Sequence, residues 1–124
     1  MATILAVDDM RSMRELVKSV LEKRGHSVHI HDSGQAALDF ARSNKVDLVI
    51  SDINMPGMDG IALVAELRQL PDYTRTPILM LTTEDAQTRK DQARAAGANG
   101  WIQKPFNPER LINAVTKTLA KSTA

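Results

Sequence analysis

The sequence predicts an α/β protein built on a parallel sheet of five strands, each followed by a helix. Three observations predict it. Strand-like apolar runs and helix-period segments alternate five times over. The runs Leu48–Ile50 and Ile78–Leu81 are continuously apolar, as expected of strands covered on both faces. Four runs end in polar residues: Ile4–Val7 leads into Asp8-Asp9, Leu48–Ser51 into Asp52, Ile78–Leu81 into Thr82, and Gly100–Gln103 into Lys104-Pro105. Ligands of an open parallel sheet bind at the carboxyl ends of its strands. If these runs are neighbours, three carboxylates, a hydroxyl and an ammonium converge there, a set suited to a hard divalent cation and a phosphoryl group.

The elements follow in order. The first strand spans about Thr3 to Val7. The helix after it places Met13, Leu16, Val17, Val20 and Leu21 on one apolar face, with Gly25 closing it; Ser12 and Glu15 have the spacing of a capping box, the alternative being a helix that starts a turn earlier. Val28 and Ile30 alternate with His29 and His31, which reads as a strand with one wet face. Ser33 caps a helix that packs Ala37, Phe40 and Ala41. After the strand at Leu48, Met55-Pro56-Gly57-Met58 forms a turn, and Asp59 caps a helix with Ile61, Val64 and Leu67 inward. The strand from Pro77 to Leu81 precedes a helix over about Glu84 to Ala96. That helix has only Ala86, Ala93 and Ala96 to bury, and is expected to be the most loosely held. Asn107 caps the last helix, Pro108 opens it, and Leu111, Ile112, Val115 and Leu119 face inward.

At 124 residues the chain is expected to be one domain, residues 1–124. Aromatic residues are only 3%, so the core is aliphatic. There is no cysteine, which excludes disulfides and thiolate metal sites. A net charge of +1 gives no ground for nucleic-acid or membrane binding. The N-terminus lacks a signal-peptide pattern, and no apolar run approaches the ~20 residues of a membrane span. A cytoplasmic monomer is expected. His29 and His31 share a strand face but lack an evident third ligand, so an exposed edge is the reading rather than a metal site. Arg89, Lys90 and Arg94 read as a solvated basic face, and Asp72-Tyr73 as a polar loop without a role.

The segment Asp52-Ile53-Asn54-Met55-Pro56-Gly57-Met58-Asp59-Gly60, the stretch Leu81-Thr82-Thr83-Glu84 and Lys104-Pro105-Phe106, together with Asp8-Asp9, resemble the motifs of response-regulator receiver domains in type, order and spacing. The resemblance covers the whole chain. Asn54 and Glu84 resemble the stand-alone chemotaxis regulators of the CheY type. The resemblance implies a flavodoxin-like, doubly wound sheet of order 2-1-3-4-5. It implies that Asp52 accepts a phosphoryl group from the phosphohistidine of a chemotaxis-type histidine kinase, and that the only chemistry is the protein's own phosphorylation and dephosphorylation. It implies Mg²⁺ held by Asp9, Asp52 and the Asn54 backbone carbonyl, with Asp8 acting mainly through water. Thr82 and Lys104, the latter before a cis proline, would contact the phosphoryl oxygens, and Thr82 and Trp101 would act as the switch. Asn54, Thr83 and Glu84 would tune dephosphorylation. The output face would be the last strand and the last two helices, its partner the flagellar switch. The alternative is a receiver that serves as a phosphate sink or regulates a non-flagellar partner. Trp101 stands where the family usually has tyrosine or phenylalanine, and Thr83 where it often has alanine or glycine.

Rival classes fit less well. A flavodoxin-type electron carrier needs a hydroxyl- and glycine-rich phosphate loop after its first strand, where this chain has Asp8-Asp9. A haloacid-dehalogenase-type phosphatase needs Asp-x-Asp there, whereas Asp52-x-Asn54 lacks the second acid and follows the third strand. A transcription factor needs an output domain, for which no residues are expected after Ala124.

Overall fold

The computed structural model describes residues 1–83 and 87–122. Among these, five parallel strands alternate with helices: β1 (Thr3–Val7), α1 (Arg11–Glu22), β2 (Ser27–His31), α2 (Gly34–Ser43), β3 (Leu48–Asp52), α3 (Gly60–Leu67), β4 (Ile78–Thr82), α4 (Gln87–Ala96), β5 (Gly100–Gln103) and α5 (Pro108–Ser122). A 3₁₀ turn, Pro71–Tyr73, lies between α3 and β4. The sheet order is β2-β1-β3-β4-β5, which makes this the flavodoxin-like fold.

Side chains alternate across the strands and divide the core into two layers. Leu5, Val7, Val49, Ile78 and Met80 pack against α2, α3 and α4, whereas Ile4, Ala6, Leu48, Ile50, Leu79, Leu81 and Ile102 pack against α1 and α5. Every residue of β3 and β4 is buried, as central strands require. The register sets Val7 beside Ser51, Asp52 beside Leu81 and Thr82 beside Gln103, so the polar residues that follow each strand emerge at one end.

Three caps form as expected. Ser33 Oγ accepts the Ala36 N–H at 3.1 Å, Asp59 Oδ1 that of Ala62 at 2.8 Å, and Asn107 Oδ1 that of Arg110 at 2.8 Å. Gly25 supplies the left-handed residue (φ +90°) that ends the α1 turn. The Ser12 capping box does not form. Helix α1 starts at Arg11, because Asp8 Oδ1 takes the Met10 N–H at 2.9 Å and sets the entry two residues earlier; Glu15 pairs with Arg11 instead. Leu16 is exposed rather than inward. Ile61 is only half-buried, and Leu63 takes the inward position beside Val64 and Leu67. Tyr73 is fully buried, with its hydroxyl donating to the Asn44 carbonyl. Edge strand β2 exposes His29, and Phe40 lies 5.0 Å from both the His29 and His31 rings. Ala86, with Glu84, lies outside the described residues.

Candidate functional site

The loops after β1, β3, β4 and β5 meet at the carboxyl edge of the sheet. Asp8, Asp9 and Asp52 bring carboxylate oxygens within 4.8 Å of one another, and among the described residues they are the one cluster with metal-ligating spacing. Asp8 and Asp52 are buried, at 2% and 8% exposure, while Asp9 faces solvent. Lys104 Nζ reaches between the two buried acids, 3.0 Å from Asp8 Oδ2 and 3.3 Å from Asp52 Oδ2.

Backbone contacts fix these groups. The Lys104 N–H donates to the Thr82 carbonyl at 2.7 Å, and the Lys104-Pro105 peptide is cis. Thr82 is buried at the end of β4. The Asp52 carboxylate accepts the Asn54 N–H, and the Asn54 side chain is exposed. Gly60 closes the loop that leaves Asp52. Its N–H donates to the Ile53 carbonyl at 2.8 Å, and a Cβ there would stand 2.0 Å from the Asp52 carbonyl oxygen. Only glycine fits.

Three acidic side chains against one ammonium leave an excess of negative charge. Burial pushes the Asp52 pKa above the usual carboxylate range; Lys104 pulls it back and the Asp8 charge raises it further. An all-oxygen donor set with several carboxylates suits a hard cation such as Mg²⁺.

The sequence-predicted residues thus divide. Asp8, Asp9, Asp52 and Lys104 come together, with Thr82 and Asn54 joined to them through the backbone. Thr83 is exposed. Glu84 lies outside the described residues. Trp101 is half-buried and lies on the α4 side of the sheet, its ring centroid 5.2 Å from Lys90 Nζ and 5.1 Å from Arg94 Cζ. The basic face of α4 is therefore not simply solvated: two of its cations stand over an indole, and Arg89 pairs with Asp59 at 3.5 Å. Sequence reasoning also missed Arg14, which donates to the Asp8 carbonyl at 2.8 Å; its place one turn into α1, pointing back toward the strand end, was the available signal.

The comparisons with known proteins agree with this geometry. The model of the response regulator receiver domain matches residues 4–116, so the chain belongs to that family and is the receiver domain of a two-component response regulator. The structure of the chemotaxis response regulator CheY4 of Vibrio cholerae superposes with a TM-score of 0.92 at 43% identity, covering 95% of this chain and 98% of that one. The heme response regulator HssR of Staphylococcus epidermidis is 36% identical over 121 residues, 98% of this chain and 53% of HssR. The chain spans about half the length of the curated relatives it matches. The receiver domain of the sensor histidine kinase PA1611 of Pseudomonas aeruginosa, 25% identical with a TM-score of 0.89 over 96% of this chain and 98% of that one, holds a magnesium ion in its active-site cleft. Among the described residues no helix is long and apolar enough to cross a membrane.

Proposed function

We propose that this receiver, a single domain over residues 1–124, accepts a phosphoryl group from a histidine kinase onto Asp52 and thereby changes the surface it offers a downstream protein. The observation that carries the reading is the set of three carboxylates within 4.8 Å, two of them buried and paired to one lysine. An Asp52 carboxylate oxygen attacks phosphorus, the bond from phosphorus to the kinase imidazole breaks, and the electron pair leaves with the imidazole. Burial raises the basicity of Asp52 and so its nucleophilicity, while Lys104 opposes that shift and favours the ionised form. Lys104 then turns its ammonium to the phosphoryl oxygens, and Thr82 donates its hydroxyl to another.

Asp9, Asp52 and the Asn54 carbonyl would hold Mg²⁺, with Asp8 acting through water. Bound Mg²⁺ supplies the charge compensation that an anionic nucleophile needs against an anionic phosphoryl group. Asn54, Thr83 and Glu84 would tune dephosphorylation: the polar side chain of Asn54 can place an attacking water, and Thr83 restricts that approach by bulk. Thr82 and Trp101 form the switch.

For output, a groove of about 300 Å³ between β5 and α5 is lined by the apolar Trp101, Ile102 and Ala114 and by the basic Arg110 and Lys117. It suits an acidic amphipathic segment. The likeness to CheY4 along nearly all of that chain supports a cytoplasmic chemotaxis role, with a chemotaxis-type kinase as donor and the flagellar switch as partner. The match to half of HssR supports the second reading, a regulator of a non-flagellar partner or a phosphate sink. Beryllofluoride-activated protein that captures flagellar switch components favours the first reading; no capture favours the second.

The phosphoacceptor is tested by incubating the protein with Mg²⁺ and acetyl phosphate and measuring intact mass. Wild type should gain one phosphoryl group transiently and Asp52→Asn none. Equal labelling of the two refutes the assignment.

A further inference from the structure

Helix α4 has little apolar surface with which to hold its place. Among its described residues only Ala93 is buried. Its two ends are secured differently. At the carboxyl end, Gly97 (φ +121°) offers its carbonyl to Arg68, which donates from Nε at 3.2 Å and from Nη2 at 2.7 Å. A Cβ on Gly97 would meet the Arg68 side chain at 2.8 Å, so this end is closely fitted. At the amino end, Arg89 Nη2 reaches Asp59 Oδ2 at 3.5 Å.

Asp59 ends the loop that begins at Asp52. The same carboxylate caps α3 through Oδ1, and the next residue, Gly60, is pressed against the Asp52 carbonyl. One turn further along α4 than Arg89 and Lys90, Arg94 joins Lys90 over the Trp101 ring. A continuous set of contacts therefore runs from Asp52 through its loop to Asp59, across to Arg89, along α4, and down to Trp101. It does not pass through Thr82.

We infer that the Asp59–Arg89 pair is a coupling contact, which links occupancy of the acidic crevice to the surroundings of Trp101 through α4. The inference rests on the reading of Asp52 as the phosphoacceptor and adds a regulatory route to it. The two side chains are 30% and 37% exposed, so the pair is weak and sensitive to salt. A weak contact suits a bias on a two-state element, where a strong one would lock it. Coupling between two sites is reciprocal, so loosening α4 must also alter how the crevice responds.

The test separates occupancy from response. Beryllofluoride with Mg²⁺ serves as the probe. Bound fluoride is counted by ¹⁹F NMR, and Trp101, the only tryptophan, is read by its emission maximum and by iodide quenching. Asp59→Asn keeps the α3 cap while removing the charge, and Arg89→Gln removes the other partner. Both variants should bind the probe yet show less than half of the wild-type Trp101 shift. The double variant should lose no more than either single one, and high salt should bring wild type toward the variants. A full-sized shift in either single variant at equal occupancy overturns the inference, as does a wild type that binds the probe with Trp101 unmoved. Without any probe, Arg89→Gln should increase iodide access to Trp101; unchanged access breaks the α4 link whatever the crevice does. A wild type with no bound fluoride signal overturns the phosphoacceptor reading instead.

Discussion

At the carboxyl ends of the strands, Lys104 faces Asp8 and Asp52 with Asp9 alongside, so one cation answers three acids. At the amino ends of β4 and β5, Arg68 has no acid among its contacts with the described residues. Its hydrogen bonds go to the carbonyls of Gly97, Tyr73 and Thr76 and to Asn99 Oδ1, at 2.7–3.2 Å. Those bonds use all five guanidinium donors. Burial lowers the Arg68 pKa, yet the group stays charged and is satisfied by neutral dipoles. The difference separates a charge matched by neutral dipoles from one set among an excess of carboxylates. Among the described residues Arg68 has every donor matched, while three carboxylates face one ammonium, an imbalance that an added cation would relieve.

The largest effect should come from breaking the complete end. Arg68→Ala leaves three buried or half-buried carbonyls without a donor and frees the turn at Gly97. It should lower unfolding free energy by about 3 kcal/mol in urea titration, equally with and without Mg²⁺. A loss that Mg²⁺ repairs would erase the distinction between the two ends.

A smaller effect of opposite sign belongs to the carboxylate end. The folded state raises the Asp52 pKa, chiefly by burial. The stability tied to that proton is complete below the ordinary carboxylate pKa of about 4 and is lost as pH rises through the higher folded value. Asp52→Asn avoids this loss. At neutral pH in EDTA it should be more stable than wild type. The gain should shrink as pH falls toward about 4, followed by thermal melts across pH. A gain that grows on acidification would reverse the sign assigned to Asp52.

The same contrast explains what the sequence made legible. Asp8, Asp9, Asp52, Thr82 and Lys104 could be placed because each ends an apolar run, and a parallel sheet gathers such ends on one edge. Caps at Ser33, Asp59 and Asn107 were legible because capping is local. Arg68 was not, since its partners are backbone carbonyls and the Asn99 amide 5 to 31 residues away, and any arginine near a helix end looks solvated. Tyr73 hid in a polar stretch, although its ring fills the core and its hydroxyl finds Asn44. The pairing of Lys90 and Arg94 with Trp101 depends on α4 crossing β5, which no local pattern encodes. The Ser12 capping box failed because Asp8, a residue of the site itself, closes the start of α1.

The most direct measurement is the melting temperature of wild type and Asp52→Asn, each in EDTA and in millimolar Mg²⁺. In EDTA the variant should melt higher, because one of three crowded carboxylates is gone. Mg²⁺ should raise the wild type by mass action, as any ligand of the native state does, and should raise the variant much less, so that the gap closes. A wild type indifferent to Mg²⁺, or a variant that melts below wild type in EDTA, contradicts the account of this crevice as a cation-dependent phosphoacceptor site.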